Sequence, residues 1–101
     1  LADPRNLSGL EFEAFLKQLF EILGYTVIQT KLSGDQGADL VIMFDNIKTA
    51  VQAKRYSGKV SNKAIQEVVA SKKHYKCENA MVVTTGKFTK SAVQLAISNE
   101  V

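Results

Sequence analysis

Two β-rich runs separated by an Asp-Asn pair constrain this chain more than any other feature. They extend over residues 38–44 and 47–55, are rich in aliphatic and β-branched side chains, and flank Asp45 and Asn46. Asp and Asn tolerate the positive φ that the two central positions of a two-residue hairpin turn require. The sequence therefore predicts a β-hairpin that is closed by this pair.

Pairing Phe44 with Ile47 across the turn fixes the register of both strands. In that register Asp39 lies opposite Gln52, with their Cβ atoms roughly 5 Å apart on one face of the hairpin. Lys54, two residues further on, projects from the same face because side chains alternate along a strand. A carboxylate, an amide and an ammonium therefore meet at the open end of the hairpin. The other face is expected to be apolar and carries Leu40, Ile42, Phe44, Ile47, Val51 and Ala53.

A polar cluster of this kind needs a partner for its charges if the fold buries it. An isolated buried charge costs several kcal/mol unless it is paired or bound to a metal ion. Two interpretations provide a partner for Asp39. In the first, it forms an ion pair with Lys54 at a sheet edge. In the second, both residues belong to a metal site for phosphodiester hydrolysis.

Composition predicts one soluble domain. Its 101 residues, 46% of them hydrophobic, are enough for a single core. No apolar run approaches the ~18 residues of a membrane span, and no signal-peptide pattern is present. The single cysteine, Cys77, excludes an internal disulfide and a cysteine zinc site. We therefore expect a cytoplasmic protein without membrane contact, whose net charge of +3 permits a polyanionic partner without indicating one.

The rest of the chain alternates helical and strand patterns. Ser8 and Glu11 match a capping box, and the helix that follows keeps apolar residues at helical spacing up to Gly24. Glu11 and Glu13 both border its apolar stripe, and periodicity alone does not choose between them. The other expected elements are a strand at 25–30, a loop at 31–37, the hairpin, a loop at 56–59, a helix at 61–75, a strand at 79–85 and a helix at 89–98. This α-β-β-β-α-β-α order predicts an α/β fold with a mixed central sheet flanked by helices.

Four segments follow one another along the chain. They are Phe12-Glu13, Gly-Asp-Gln-Gly-Ala-Asp at 34–39, Gln-Ala-Lys-Arg-Tyr at 52–56, and Val-Thr-Thr-Gly at 83–86 followed by Phe88-Thr89-Lys90 and Ala92. In order and spacing they resemble the catalytic domain of Mrr-like restriction endonucleases, a branch of the PD-(D/E)xK nuclease superfamily. The resemblance covers residues 7–101 and implies a restriction-endonuclease-like fold with the element order given above.

The resemblance also divides the chain. Residues 8–101 are expected to form the nuclease domain, and residues 1–7 a linker, because the Asp3-Pro4 step disfavours a helix. Since residue 1 is Leu rather than Met, we expect a longer protein with further domains. Two features depart from the wider superfamily. Gln52 stands where most members carry Asp or Glu, which resembles the Mrr-like branch, and the chain ends at Val101, short of the last strand that such domains usually carry.

The resemblance implies a metal-dependent endonuclease of the restriction or defence type that hydrolyses DNA. The implied ligands are the Asp39 carboxylate, the Gln52 amide and the Ala53 carbonyl, with Glu13 as a first-helix acid that reaches the site. Hard oxygen donors suit Mg²⁺, for which Mn²⁺ can substitute. Lys54 is implied to orient or activate the attacking water, or to stabilise the phosphate. A homo-oligomer is implied for double-strand cleavage.

Several polar residues are candidates for nucleic-acid binding, although each of them alone is equally well a solvated surface residue. They are Arg55, Tyr56, Lys59, Lys63, Gln66, Lys87, Thr89 and Lys90. Two alternative functions share the fold. One is a nucleic-acid-binding module that has lost cleavage, and the other is a structure-selective junction nuclease.

Overall fold

The computed structural model describes residues 3–29 and 39–101. Within these ranges the helices are α1 (Gly9–Ile22), α2 (Asn62–His74) and α3 (Lys90–Ser98), and the strands are β1 (Thr26–Gln29), β2 (Leu40–Phe44), β3 (Ile47–Lys54), β4 (Lys59–Val60), β5 (Asn79–Thr84) and β6 (Lys87–Phe88). None of these helices is long and apolar enough to cross a membrane. The predicted loop at 31–37, and the 34–39 motif except for Asp39, lie outside the described residues.

Helix α1 begins where the capping box predicts it. The Ser8 hydroxyl accepts a hydrogen bond from the Glu11 N–H (3.2 Å), and the Glu11 carboxylate accepts one from the Ser8 N–H (2.9 Å). Gly24 follows the helix with a φ of 98°, which glycine adopts without steric penalty. The buried side chains of the helix are Phe12, Leu16 and Phe20.

The central sheet is mixed, as predicted. Its strand order is β1-β2-β3-β5, with β2 antiparallel to both β1 and β3, and with β5 parallel to β3. Strands β2 and β3 form the predicted hairpin, in which Phe44 pairs with Ile47 and Leu40 with Val51. The two turn residues close it with φ angles of 51° and 65°. The predicted register is therefore confirmed over the length of β2.

Helices cover both faces of this sheet, which makes the molecule a three-layered α/β domain. The face under α1 holds a buried cluster of Phe12, Leu16, Phe20, Leu40, Ile42 and Val51. The face under α2 holds a second cluster of Val41, Ala50, Val68, Cys77 and Ala80. Because side chains alternate along β3, its residues 50, 52 and 54 share the α2 face, and residues 51 and 53 share the α1 face.

The apolar face of the hairpin is less buried near the turn than at the open end. The Phe44 and Ile47 side chains are 54% and 49% exposed, and neither belongs to the cluster under α1, which contains Leu40 and Val51. Alternation assigns both residues to the apolar face, but it does not show how far the covering helix reaches along the strand. Phe44 instead contacts the ring of Tyr25, with 5.8 Å between the centroids.

A second, two-stranded sheet lies where the sequence predicts a loop. Strand β4 pairs in parallel with β6, with Lys59 opposite Lys87 and Val60 opposite Phe88. Both strands have only two residues, so no periodic pattern distinguishes them from a loop. The pairing ties the segment that follows β3 to the segment that precedes α3.

The segment before α1 contacts the domain. Pro4–Asn6 forms one turn of 3-10 helix, capped by the Asp3 carboxylate, which accepts a hydrogen bond from the Arg5 N–H at 3.0 Å. Leu7 packs against the cluster under α1. The division between a linker and the domain at residue 7 stays a prediction.

Candidate active site

The candidate site lies at the open end of the β2–β3 hairpin, where Asp39 departs from the regular ladder. The ladder ends at the Leu40–Val51 pair, and the Asp39 N–H donates to the Val51 carbonyl at 2.9 Å. Asp39 and Leu40 thus both lie against Val51, which is the two-against-one pattern of a β-bulge. The predicted pairing of Asp39 with Gln52 is therefore not part of the ladder, because the bulge re-aims the aspartate.

The bulge brings the half-buried Asp39 carboxylate onto the backbone of β3. Its Oδ2 accepts a hydrogen bond from the Ala53 N–H at 2.7 Å. Burial is the main cause that raises the pKa of Asp39, against the Ala53 hydrogen bond and the Lys54 ammonium, which lower it; the negative charge of Glu67 adds to the increase. Asp39 is therefore a partly desolvated carboxylate within electrostatic reach of both β3 and α2.

Gln52 and Lys54 lie on the α2 face of β3. Gln52 is only 6% exposed, which is unusual for a polar side chain at the end of a strand. The Lys54 Nζ lies 3.9 Å from the Glu67 Oε1, an ion pair between β3 and α2 in which both side chains are about one-third exposed. The Lys54 ammonium thus lies close enough to lower the pKa of the Asp39 carboxylate, and Gln52 shares the strand face of Lys54. Asp39 itself contacts β3 through a bulge and not by direct strand pairing.

Glu13 is the acid of α1 that faces this site. Burial raises the pKa of Glu13, and the negative charge of Asp39 raises it further. The Glu11 carboxylate is engaged in the capping box at the exposed helix start, and its pKa is lowered by the Ser8 hydrogen bonds. The structure therefore favours Glu13 over Glu11, a choice that helical periodicity leaves open.

Glu67 is a site residue that the sequence analysis misses. It shares one face of α2 with Ala64, Val68 and Ser71, all of which are buried. The signal is the spacing 64, 67, 68 and 71, which is that of a buried helical stripe and includes one charged residue. Gln66, one of the candidates for nucleic-acid binding, is exposed on the adjacent face because successive residues of a helix are rotated by about 100°.

The Val-Thr-Thr-Gly motif has a structural role at this site. The Thr84 hydroxyl donates to the Lys54 carbonyl at 2.7 Å. The Thr85 hydroxyl accepts from the Tyr56 N–H at 3.1 Å and lies 3.2 Å from the Tyr56 carbonyl. Gly86 passes so close that a Cβ there would lie 2.7 Å from the Tyr56 carbonyl oxygen. The motif therefore fixes the backbone immediately after Lys54.

The donors at this site fit a hard divalent cation. The Asp39 and Glu13 carboxylates and the Gln52 amide all offer oxygen atoms, which Mg²⁺ and Mn²⁺ prefer. The effect of Asp39 on the pKa of Glu13 shows that the two carboxylates repel each other, and a bound cation would relieve this repulsion. In the described part of the chain, no three acidic, His or Cys side chains are close enough to hold a metal ion. The Gln52 amide and a backbone carbonyl such as that of Ala53 would therefore complete the ligand set.

Two cavities lie beside the site, and Tyr56 lines both of them. The first, here called the lysine cavity, has a volume of about 200 Å³ and is lined by Lys54, Tyr56, Lys59, Val60, Ser61, Lys63, Ala64 and Glu67. The second, the arginine cavity, has a volume of about 230 Å³ and is lined by Arg5, Arg55, Tyr56, Ser57 and Thr85. The arginine cavity gathers both arginines of the chain. A basic surface therefore extends from Lys54 in two directions.

The remaining candidates for nucleic-acid binding follow the lysine cavity. Lys87 is exposed and lies in register with Lys59 through the β4–β6 pair. The Thr89 hydroxyl caps α3 by accepting a hydrogen bond from the Ala92 N–H at 3.1 Å. One of the backbone N–H groups at the start of the helix therefore already has a partner within the chain. Lys90 is exposed on the first turn of α3. These residues thus border the basic surface but not the carboxylates.

A mixed sheet between helices, with an Asp, a Gln-x-Lys strand and a helical Glu converging at one end of the central hairpin, defines the restriction-endonuclease-like class. Residues 4–101 match the Mrr_cat family, described as a restriction endonuclease, and the chain belongs to this family. The resemblance read from the sequence is therefore confirmed, as is the fold that it implies.

Solved structures share the fold at low sequence identity. A protein of unknown function, AF1548, has a TM-score of 0.72 and 15% identity, over 85% of this chain and 52% of its own. Hjc, a Holliday junction resolvase from the archaeal hyperthermophile Archaeoglobus fulgidus, has a TM-score of 0.56 and 17% identity, over 76% of this chain and 65% of its own. The chain thus spans about half of the first structure and less than two-thirds of the second. No curated protein matches it.

Proposed function

We propose that this domain is a metal-dependent endonuclease that hydrolyses DNA phosphodiester bonds. The observation that carries the proposal is the convergence on Asp39 of groups from three separate elements. The negative charge of Asp39 raises the pKa of Glu13 on α1, and the Ala53 N–H on β3 donates a hydrogen bond to the Asp39 carboxylate. Lys54 lowers the pKa of Asp39, and Glu67 raises it. Partly buried, mutually perturbing charges in an open polar site are characteristic of catalysis more than of fold stabilisation.

Mg²⁺ is the proposed metal ion, with Mn²⁺ as a substitute. Asp39, Gln52, the Ala53 carbonyl and Glu13 would hold it, because they are oxygen donors at the open end of the hairpin and on the facing helix α1. When bound, such an ion polarises the phosphate and makes a water molecule more acidic. Family membership supports a divalent-metal requirement, and the identity of the ion is part of the proposal.

The residues of the protein orient the Asp39 carboxylate, present a positive charge to the phosphate and bind the flanking DNA. The Ala53 N–H holds the Asp39 carboxylate in one orientation. Lys54, whose backbone is fixed by Thr84, presents an ammonium beside the carboxylate, where it orients the attacking water or stabilises the charge that develops on the phosphate. The lysine and arginine cavities then receive flanking phosphates of the strand, with the exposed Tyr56 ring between them.

Restriction of incoming DNA is the activity that family membership favours. A cytoplasmic location and a homo-oligomer for double-strand cleavage are further parts of the proposal. Junction cleavage is the second candidate because Hjc, whose fold is shared, is a Holliday junction resolvase. Both activities use the same proposed site. The substrate, and not the chemistry, separates them.

The test is cleavage of three DNA substrates by purified protein: a supercoiled plasmid, a linear duplex and a four-way junction. Nicking of the plasmid that requires Mg²⁺ or Mn²⁺ and stops with a chelator is the expected result. Preferential cleavage of the junction would favour the second candidate. DNA binding without cleavage of any substrate at any metal concentration would reject the proposal in favour of a binding module.

A further inference from the structure

We propose that Glu67 is a positioning residue that holds the Lys54 ammonium in place at the candidate active site. The role of Lys54 in hydrolysis rests on the proposed function. The contact between Glu67 and Lys54 is a property of the fold and can be tested separately. It adds a residue of α2 to a site whose sequence motifs lie on α1 and on the hairpin.

The position of Glu67 on α2 calls for a partner of opposite charge. It lies on the stripe of the helix that carries the buried Ala64, Val68 and Ser71. Its Oε1 is buried, and no hydrogen-bond donor among the described residues reaches it. A buried carboxylate oxygen without a donor lowers stability unless a cation lies close by. The Glu67 carboxylate therefore needs a cation close to its Oε1.

Lys54 provides that cation. Its Nζ lies 3.9 Å from the same Oε1, which is within ion-pair range and longer than a hydrogen bond. A lysine side chain has many rotamers, and a fixed carboxylate on a helix selects those that place the ammonium between the Asp39 carboxylate and the lysine cavity.

Glu67 therefore acts through Lys54 and not on the substrate. Its negative charge would repel a phosphate, so direct contact with DNA is unfavourable. An ammonium that is already ordered needs no reorganisation when charge develops on the phosphate. Loss of the carboxylate should thus slow the chemical step and leave substrate affinity nearly unchanged.

The test compares Glu67→Gln, which keeps the shape and removes the charge, with Glu21→Gln, which makes the same chemical change at an exposed position near the end of α1. We expect Glu67→Gln to lower kcat about tenfold to hundredfold, with KM within about twofold of wild type. Side-chain ¹⁵N relaxation of the Lys54 ammonium should report larger motion in Glu67→Gln. Glu21→Gln should match wild type in both measurements. Glu67→Asp keeps the charge on a shorter side chain, so its kcat and its Lys54 motion should lie between those of wild type and Glu67→Gln. It replaces Glu67→Gln in the test if that variant does not fold.

Unchanged motion of the Lys54 ammonium in Glu67→Gln would overturn the proposal, as would an increase in KM with an unchanged kcat. The relaxation measurement does not depend on cleavage. A wild-type protein that cleaves no DNA, but whose Lys54 ammonium becomes mobile in Glu67→Gln, would reject the proposed function and keep the positioning contact. If wild type cleaves DNA and Glu67→Gln changes neither kcat nor the motion of Lys54, the proposed function is kept and the positioning role of Glu67 is rejected.

Discussion

At the scale of single residues, the ionised Asp39 carboxylate is less stable in the folded protein than in the unfolded chain, because the fold partly buries it. Burial raises its pKa, so the folded protein binds the proton more tightly than the unfolded chain does. Stability therefore falls as pH increases through the titration of this carboxylate. At neutral pH the ionised Asp39 is a cost to the fold, which is expected of a residue retained for chemistry.

Asp39→Asn should accordingly keep or increase the melting temperature at neutral pH, because the amide carries no charge and its oxygen can still accept from the Ala53 N–H. The difference from wild type should shrink on acidification, as the wild-type carboxyl becomes neutral too. Thermal melts from about pH 3 to about pH 8 measure this. Asp45→Asn, which makes the same chemical change in the exposed turn, is the matched control for the substitution itself. A clearly lower melting temperature for Asp39→Asn at neutral pH contradicts the assignment.

Gln52 is the residue at which the metal site can be tested without cleavage. A neutral amide binds a hard cation less tightly than a carboxylate does, so Gln52→Glu should strengthen Mg²⁺ binding by about tenfold if this side chain is a ligand. Calorimetric titration measures the dissociation constant directly. Asn46→Asp makes the same chemical change in the turn, at the opposite end of the hairpin, and should leave it unaltered. Equal affinity of Gln52→Glu and wild type would show that Gln52 is not a ligand.

At the scale of elements, the close passage of Gly86 against the segment after β3 gives a sharp prediction. A Cβ at position 86 would collide with the carbonyl oxygens of Tyr56 and Gly58, whereas a Cβ at Gly58 has no atom within 4 Å. Gly86→Ala should therefore lower the free energy of unfolding by about 1–3 kcal/mol, and Gly58→Ala should change it little. Chemical denaturation of both variants measures the difference. Equal stability of the two variants would contradict the described contact.

Local chemistry predicts some elements well. The Ser8–Glu11 capping box places the start of α1, and the Asp-Asn turn sets the hairpin register, because both depend on residues close in sequence. The starts of α2 and α3 fall within one residue of their predicted positions. Family motifs then locate Asp39, Gln52 and Lys54 at one end of the hairpin.

The features that were missed depend on contacts between elements far apart in sequence. The bulge at Asp39 arises where β2 leaves its partner, and the β4–β6 pair joins segments almost 30 residues apart. Glu67 faces the site only because α2 packs across the β3 strand that carries Lys54. Periodicity reveals a charged residue on a buried stripe, but not what lies opposite it.

At the scale of the whole molecule, five basic residues line the two cavities beside the candidate site, although the net charge is only +3. DNA binding by this domain should therefore rely on phosphate contacts and weaken steeply with salt, with little sequence preference. Lys59→Ala should reduce the slope of log affinity against log salt by about one. Lys73→Ala, at the far end of α2, is the matched control. A salt-insensitive, sequence-selective interaction would contradict this prediction.

The most direct test of the account is the rate of Mg²⁺-dependent plasmid nicking by two variants and their matched controls. Asp39→Asn and Lys54→Met remove the charges at the open end of the hairpin, whereas Asp45→Asn and Lys48→Met make the same chemical changes toward its turn. We predict that the first two lower the rate by about a hundredfold or more while remaining folded, and that the controls nick at the wild-type rate. Near-wild-type nicking by Asp39→Asn or by Lys54→Met would contradict the central claim that this end of the hairpin is the active site.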